Sequence, residues 1–339
     1  MANIRTVAKQ AGVSIKTVSR VVNGDPLVAD ETRQRILHVI DELNYRPNML
    51  ARGLVRGKAG VVGVINGAVN DVYSHPFFSE VLHGIADVLS QSDLDVLIHL
   101  PHSNNLPYCN LYLEKRVDGL ILMSLPAEDP HLAGLAEQHV PAVFLCPIAE
   151  DSQAIHLVDS DYIGATSEAM EHLINQGHHR IGLLAGPHSL ISVRMRVRAY
   201  EQSLRQHGIP VDETLIHYLD FYRGDVDDVV RRLMSLDNPP TALVCGEDFL
   251  AIRSIRLLQA MGYDVPGDIS VIGCDDTPVA KLLAPALTTL RQDGYQKGSL
   301  AAERLVKLIA GEFEGPATQT LLSMQLIVRK STGPNQMKQ

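Results

Sequence analysis

The chain has 339 residues, which is long enough for more than one compact unit. Hydrophobic residues make up 45% of it and the mean hydropathy is +0.03, a composition typical of a globular protein. No apolar run approaches the length that spans a bilayer, and Met1 leads into a helical pattern without a secretory signal. We therefore expect a cytoplasmic protein that does not contact a membrane.

The formal charge of −9 is unevenly distributed along the chain. Residues 1–58 hold 10 Lys or Arg and 5 Asp or Glu, whereas the remainder holds 20 and 34. A basic segment joined to an acidic body is expected when one end of a protein contacts the phosphates of a nucleic acid. The acidic body would repel DNA and confine contact to the basic segment.

Two short helical patterns open the chain. Apolar residues at helical spacing form one stripe before Gly12 and another after it, namely Ile4, Val7, Ala8 and Ala11, then Val18, Val21 and Val22. Gly12 supplies a tight turn, and Ser14 is placed to cap the second helix. This pattern predicts a helix-turn-helix, whose second helix fits a DNA major groove. The alternative is an ordinary helical hairpin with a solvated polar face.

The second predicted helix has a polar outer face. Opposite its valines lie Ile15, Lys16, Ser19 and Arg20, and the hydroxyl and two cations of this set suit phosphates and base edges. A third helix is predicted from Asp30 to Asn44. Its inward side chains, which would close a small core, are expected to be Ile36, Leu37, Ile40 and Leu43.

The same segment carries a long and specific signature. Residues 7–24 read V-A-x-x-A-G-V-S-x-x-T-V-S-R-V-x-N-G, residues 32–36 read T-R-x-R-I, and residues 43–54 read L-N-Y-R-P-N-x-x-A-R-x-L. In these segments the chain resembles the LacI/GalR family of bacterial repressors. The resemblance implies an all-α DNA-binding domain over residues 1–47, then a hinge helix and linker over 48–60. Within that linker, residues 48–56 are expected to form a helix on operator DNA.

The resemblance also implies which residues contact DNA. Ile15, Lys16 and Arg20 are expected to read the major groove, with Arg5 and Asn3 assisting. Leu54 corresponds to the family's leucine that pries a base step apart in the minor groove. A plain flexible linker is the alternative for that segment. The other expected DNA contacts are Thr6, Ser14, Thr17, Ser19, Asn23, Asn48, Ala51 and Arg52.

From Val61 onward, short apolar runs alternate with amphipathic helical patterns. The strands are predicted at 61–65, 95–99, 119–123, 142–145, 156–158, 181–185, 242–245, 269–273, 289–291 and 321–328. The helices are predicted at 78–90, 130–138, 164–176, 194–207, 225–235, 249–261 and 295–310. Continuous apolar strands between helices predict an α/β core of two doubly wound parallel-sheet subdomains, with a ligand site beyond the carboxyl ends of the strands.

The family resemblance continues through this core. It is carried by H-P-F-F-S-E-V-L-H-G-I at residues 75–85, by V-P-G-D-I-S-V-I-G-C-D-D at 265–276 and by P-A-L-T-T-L-R-Q at 285–292. The family's core is similar to a periplasmic sugar-binding protein, in which the chain crosses between lobes three times. The crossings are expected near 159–162, 290–293 and 319–322. The two subdomains would then be 61–160 with 292–320, and 161–291 with 321–333.

Several polar side chains just after strands are candidates for binding an effector between the lobes. Arg196 opens a match to the family's R-x-x-G-Y motif, and the family uses this Arg to grip a ligand hydroxyl or carboxylate. Asp275 ends a predicted strand, where it could accept hydrogen bonds from sugar hydroxyls. The remaining candidates are Phe77, Phe78, Asp161, Arg194, Glu247, Asp248 and Gln292.

Each of these candidates has a structural alternative. The carboxylates could serve as helix caps or hinge salt bridges, and the two phenylalanines could simply pack in the core. Glu247 stands where the family usually has Asn, a change that adds an acceptor and removes an amide donor. The effector is therefore expected to offer more hydrogen-bond donors than a typical aldose.

Other chemistry has little support in the sequence. The four cysteines, Cys109, Cys146, Cys245 and Cys274, are far apart and fit no zinc or redox spacing, so we expect reduced core thiols. His178 and His179 lack the spacing of a helical metal pair. No metal, cofactor or catalytic residue is predicted.

The sequence motifs discriminate between three classes of function. An enzyme would require a nucleophile, phosphate-binding or metal motif, and none is found. A transport-associated binding protein does not fit the basic N-terminal segment. The pattern favours a transcriptional regulator, a repressor that binds operator DNA as a homodimer. Its expected effector is a sugar, a sugar acid or a nucleoside-like molecule, and no C-terminal heptads for a tetramer are found.

Overall fold

The computed structural model describes residues 2–22, 25–46, 58–67, 76–99, 107–149, 155–220, 225–313 and 315–336. The chain divides into two compact units, Met1–Gly60 and Val61–Gln339. The predicted hinge helix at 48–56 lies outside the described residues. Within the described ranges, no helix has the length and hydropathy that are needed to cross a membrane.

The first unit is a three-helix domain. It contains α1 (Ile4–Gln10), α2 (Ile15–Val22) and α3 (Asp30–Glu42). Its core is formed by Val7, Ala8, Ala11, Val18, Val21, Val28, Ile36 and Val39. The predicted inward position of Leu37 is wrong, since 44% of this residue is exposed. Each residue advances a helix by about 100°, so that Ile36 and Val39 face inward and Leu37 does not.

The second unit alternates strands and helices. In chain order these are β1 (Val61–Asn66), α4 (Pro76–Ser90), β2 (Asp95–His99), α5 (Cys109–Leu113), β3 (Gly119–Met123), β4 (Ala142–Phe144), β5 (His156–Ser160), α6 (Tyr162–Asn175), β6 (Ile181–Leu184), α7 (Ile191–Gln206), β7 (Ile216–His217), α8 (Val226–Met234), β8 (Ala242–Cys245), α9 (Asp248–Ala260), β9 (Ser270–Asp275), β10 (Thr288–Arg291), α10 (Gly294–Ala310), β11 (Gln319–Leu322) and β12 (Gln325–Ile327).

The strands form two six-stranded sheets, in the orders β11-β5-β4-β3-β1-β2 and β12-β10-β9-β8-β6-β7. We call the first sheet with its helices the N-terminal lobe and the second the C-terminal lobe. Strand neighbours are parallel except for β10 and β12. Alternate strand residues enter different buried clusters, so each sheet is covered on both faces. The predicted fold class is confirmed.

The chain passes between the lobes after β5, after β10 and after β11. After the first crossing α6 packs against α7, and after the second α10 packs against α4. The third crossing lies between Leu322 and Gln325, because β11 pairs with β5 and β12 pairs with β10. Residues 321 and 322 therefore belong to the N-terminal lobe, in contrast to the expected boundary after residue 320.

Two predicted elements differ from the structure. The helix predicted at 130–138 is a 3₁₀ turn at Pro130–Leu132 followed by turns, because Gly134 adopts a left-handed φ of +82° that ends regular helix. The strand predicted at 321–328 is two strands in different sheets. The short elements α5 and β7 were not predicted, since neither is long enough to show a period.

Two glycines bring α4 and α10 into close contact in the N-terminal lobe. A Cβ atom on Gly298 would lie 2.1 Å from the Val81 carbonyl oxygen, and one on Gly84 would lie 2.1 Å from the Tyr295 carbonyl oxygen. Both obstacles are backbone atoms, which cannot rotate away as a side chain can. The packing of α10 on α4 therefore depends on the absence of side chains at both positions.

We expect Gly298→Ala to destabilise the protein by about 1–3 kcal/mol, because the added methyl group forces the two helix backbones apart. The free energy of unfolding in urea measures this effect. Glu303→Ala, an exposed change on the same helix, serves as the matched control and should stay within about 0.5 kcal/mol of wild type. Equal stability of the two variants would show that the helices can separate without cost.

Candidate functional site

The outer face of α2 presents four exposed side chains: Ser14, Ile15, Lys16 and Arg20. Thr17 and Ser19 are half-buried on the same helix, and the exposed fraction of Ile15 is 46%. Val18 and Val21 point the other way, into the core. Burial of the valines thus fixes which side chains α2 offers to a partner.

Side-chain caps hold the starts of α1 and α2. The Asn3 side chain accepts from the Thr6 backbone N–H at 3.0 Å, and Ser14 Oγ accepts from the Thr17 N–H at 3.1 Å. Gly12 has a φ of +66°, which suits the turn between the helices. The predicted capping role of Ser14 is confirmed.

The cationic side chains of the first unit differ in whether they form an ion pair with another described residue. Arg5 and Lys16 are exposed, whereas the Arg20 guanidinium lies 3.4 Å from the Asp25 carboxylate. The side chain of Arg20 is still 49% exposed, so that an ion pair of this kind contributes little stability and can be exchanged for another acceptor. Asn23, Asn48, Ala51, Arg52 and Leu54, which were predicted to contact DNA, lie outside the described residues.

A cavity of about 130 Å³ opens between the lobes of the second unit. We call it the cleft. It is lined by Asn66, Phe77, Phe78, Val81, Met123, Ser124, Leu145, Cys146, Tyr162, Leu190, Ser192, Arg196, Gly246, Glu247, Asp275, Gln292 and Lys297. Most of the polar residues among them end a strand or begin a helix, as expected where strands of both sheets terminate.

The structure brings together six of the nine predicted effector residues: Phe77, Phe78, Arg196, Glu247, Asp275 and Gln292. The other three have local roles outside the cleft lining. Asp161 caps α6 by accepting from the Gly164 N–H at 2.9 Å, and Arg194 Nε donates to the His188 carbonyl at 3.0 Å. Asp248 is fully buried behind the cleft.

Sequence reasoning missed several lining residues. Asn66 ends β1, Ser124 directly follows β3, and Cys146 comes shortly after β4. The rule that ligands bind at the carboxyl ends of strands could have identified all three. Lys297 lies inside α10, and its helical spacing gives no signal of a cleft position.

Arg196 forms one wall of the cleft. Its Nη1 donates to the Gly246 carbonyl at 2.5 Å, and its guanidinium carbon lies 4.6 Å from the centre of the Tyr162 ring. Burial opposes the charge, but Cys274, Tyr162, Asp275 and Glu247 favour it and raise the pKa of Arg196 further. Gly246 permits this close approach, since a Cβ there would lie 3.3 Å from Arg196 Nη1 and 2.4 Å from the Ala185 carbonyl oxygen.

A chain of hydrogen bonds joins the two lobes at the cleft. Ser160, at the end of β5 in the N-terminal lobe, donates to Gln292 Oε1 at 3.1 Å. Gln292, at the second crossing, donates through Nε2 to Asp275 Oδ1 in the C-terminal lobe. Asp275 has a φ of +111°, which L-residues rarely adopt. A ligand that contacts Asp275 or Gln292 therefore contacts the link between the lobes.

The other wall of the cleft, in the N-terminal lobe, is mainly apolar. Phe77, Phe78, Met123 and Leu145 contribute to it, and aromatic faces of this kind pack well against sugar rings and bases. Burial raises the pKa of the Cys146 thiol to about 12, so this side chain stays protonated at neutral pH. All four cysteines are buried and unbridged, and their predicted position in the core is confirmed.

Asp248 supports the C-terminal lobe from behind the cleft. Its carboxylate accepts from the Thr277 backbone N–H at 2.7 Å, from Thr277 Oγ1 at 2.9 Å and from Thr289 Oγ1 at 2.5 Å. Burial and the nearby Asp275 carboxylate raise the pKa of Asp248 to about 7, while the hydrogen bonds from Thr289 and Thr277 oppose this rise. These bonds tie α9 to the ends of β9 and β10.

We expect the stability of wild type to fall relative to Asp248→Asn as the pH rises from about 4 to about 7. The folded-state pKa of about 7 exceeds the ordinary 3.8, so the folded chain holds this proton more tightly than the unfolded chain. The measurement is urea unfolding of both proteins at pH 5 and pH 7.5. Between these pH values the free energy of unfolding of wild type should fall by on the order of 2 kcal/mol more than that of the variant, because asparagine at position 248 does not titrate. A stability difference that does not change with pH would contradict the raised pKa.

No group of three or more side chains that could hold a metal ion occurs among the residues that the structure describes.

Comparisons with known proteins match both units. A model of the lacI family of bacterial regulatory proteins matches residues 3–48, and one of periplasmic binding protein-like domains matches residues 170–332. Catabolite control protein A of Priestia megaterium is 35% identical over 313 residues, which cover 91% of this chain and 93% of that protein. HTH-type transcriptional regulator CelR of Thermobifida fusca is 33% identical and covers 97% of each chain.

Among solved structures, the Lac repressor dimer bound to operator and the anti-inducer ONPF matches with a TM-score of 0.85. It is 29% identical, and the match covers 98% of this chain and 99% of that one. A complex of the regulator CelR with cellobiose matches with a TM-score of 0.75 at 31% identity, covering 98% of this chain and 100% of that one.

Proposed function

Because the chain belongs to the LacI family of bacterial transcriptional regulators, we propose that it represses transcription as a homodimer on a pseudo-palindromic operator. Its effector is a small polyhydroxylated molecule that binds in the cleft. The observation that carries this proposal is the hydrogen-bond chain from Ser160 through Gln292 to Asp275, which makes the link between the lobes part of the ligand site.

The first unit supplies the DNA-reading surface. Ile15, Lys16 and Arg20 project from α2, whose capped N-terminus adds a positive partial charge that favours phosphates. A helix with this exposed face suits the major groove. In a two-fold symmetric dimer, two such surfaces would read the two halves of a palindromic operator. The Lac repressor structure that this chain resembles is a dimer bound to operator.

The second unit supplies the effector site that controls operator binding. A ligand shifts an equilibrium only if it binds two states with different affinity. Contacts to Phe77 on the N-terminal lobe and to Asp275 on the C-terminal lobe depend on the angle between the lobes, so a bound ligand would select one angle. Operator affinity would then change by the same coupling free energy.

The cleft has the mixed lining of a small-molecule site, and its volume is about 130 Å³. Asn66, Ser124 and Ser192 add neutral hydrogen-bonding groups to the charged ones, while the phenylalanines offer faces for packing. The CelR structure contains cellobiose, and a sugar is the class of effector that we propose for this chain.

We propose no catalytic role for the cleft. Gln292 holds the Asp275 carboxylate, and the protonated Cys146 thiol is a poor nucleophile.

Since operator DNA lies in the bacterial cytoplasm, we place the protein there.

We expect Arg20→Ala to weaken binding to a specific operator by about 5- to 150-fold, the 1–3 kcal/mol that a base-reading arginine provides. The measurement is fluorescence anisotropy at fixed salt on an operator selected from a randomised duplex pool. Arg231→Ala, which removes an equal and exposed charge on α8, is the matched control and should change affinity less than twofold. An equal loss on operator and on scrambled duplex would assign Arg20 to phosphate contact instead.

We expect Asp275→Asn to abolish the response to effector while operator affinity without ligand changes less than threefold. The asparagine keeps the size of Asp275 but loses the charged acceptor for ligand hydroxyls. A titration of operator affinity against sugars, sugar acids and nucleosides should first identify a compound that shifts wild type at least tenfold, about 1.4 kcal/mol of coupling. Asp237→Asn, an exposed change outside the cleft, should retain the full response.

Two outcomes would contradict the proposal. Wild type that binds no duplex specifically would refute the DNA-reading function. A full response in Asp275→Asn would show that the effector acts from a site other than the cleft.

A further inference from the structure

One charged side chain in the cleft has no role in the function proposed so far. Lys297 extends from α10 into the cleft lining with only 2% of the residue exposed. Burying an ammonium group costs several kcal/mol unless partners compensate for the lost water. Its partners therefore show what this position is built to do.

The ammonium group has two hydrogen-bond acceptors within the described part of the chain. Lys297 Nζ donates to Asp159 Oδ1 at 2.6 Å and to the Tyr162 hydroxyl at 3.5 Å. It also lies 5.7 Å from the centres of the Phe77 and Tyr162 rings. An ammonium group has three N–H bonds, and two acceptors leave one donor for a molecule in the cleft.

Lys297 keeps its charge in this setting. Burial alone lowers the pKa of a lysine, but Asp159, Tyr162 and Cys146 outweigh it, so the pKa of Lys297 rises above its ordinary value. The two aromatic faces add to the attraction. A ligand in the cleft therefore meets the ammonium group of the Lys297–Asp159 ion pair on the side of the N-terminal lobe.

The opposite wall has a different character. Asp275 and Glu247 place carboxylates on the side of the C-terminal lobe, where both of them favour the charge of Arg196 and Arg196 Nη1 donates to the Gly246 carbonyl. The wall of the C-terminal lobe thus holds carboxylate acceptors for hydroxyl groups beside the Arg196 guanidinium, whereas the Lys297 ammonium is the cationic donor on the wall of the N-terminal lobe.

We propose that the effector is a sugar acid whose carboxylate accepts from Lys297 Nζ while its hydroxyl groups donate to Asp275 and Glu247. This inference rests on the function proposed above and names the class of its effector. A single carboxylate matches one available donor, whereas a phosphate dianion would bring a second negative charge close to Asp159, Glu247 and Asp275.

The first test is calorimetry of the full-length protein with matched acid and neutral probes. D-glucuronate and D-galacturonate differ from D-glucose and D-galactose only by a carboxylate at the terminal carbon. We expect at least one acid to bind tenfold or more tightly than its neutral partner. If no acid binds, or if the neutral partners bind as well, the proposal is overturned without any variant.

The second test removes the cation. Lys297→Met alone leaves Asp159 buried without its counter-charge, so the variant to use is Asp159→Asn with Lys297→Met, which neutralises the pair at nearly constant volume. We expect the preference for the acid over its neutral partner to fall to less than twofold. Lys307→Met, an exposed change on α10, should retain the full preference.

A preference that survives in the double variant would assign the pair a purely structural role and overturn the proposal. Operator binding that is shifted by a neutral hexose alone would also overturn it, while leaving the regulator function intact. Failure of wild type to bind any operator would refute the regulator function. The calorimetric comparison of acids with neutral sugars does not depend on operator binding and would still test the class of the ligand.

Discussion

The three crossings of the chain between the lobes are the constraint on which the rest of the second unit depends. Because parallel strands of both sheets end at the same level, each crossing brings backbone from both lobes to one place. Gln292 lies on the second crossing and bonds to Ser160 on one side and Asp275 on the other. A molecule in the cleft therefore interacts with the same groups that hold the lobes together, and this is the physical condition for coupling ligand binding to lobe angle.

Much of this arrangement could be predicted from the sequence, because the strongest signals are the continuous apolar strands. The runs around 119–123 and 242–245 are buried on both faces and are bounded in the structure where the sequence places them. Polar residues that directly follow such runs, Asp275 above all, could be assigned to a site by topology alone. The helix-turn-helix was equally clear, since its caps and apolar stripes are local features.

Features that depend on tertiary contact could not be predicted. Two other errors are local: the helical advance turns Leu37 away from the side of Ile36 and Val39, and the left-handed conformation of Gly134 ends the helix expected at 130–138. Asp248 follows a strand just as Asp275 does, yet hydrogen bonds from Thr277 and Thr289 hold it behind the cleft. Sequence spacing cannot distinguish a carboxylate that faces a ligand from one that holds two loops together.

Lys297 is the clearest such case, since a lysine in an amphipathic helix normally reads as a solvated side chain. Its carboxylate partner, Asp159, is 138 residues away in sequence and equally buried. Pairs of this kind are often no more stabilising than apolar side chains of the same volume. Stability alone is therefore a weak reason for this buried pair to lie beside the cleft. The position of Lys297 on the cleft wall provides a stronger reason. A cation held by a buried carboxylate and two aromatic rings is already oriented before a ligand binds.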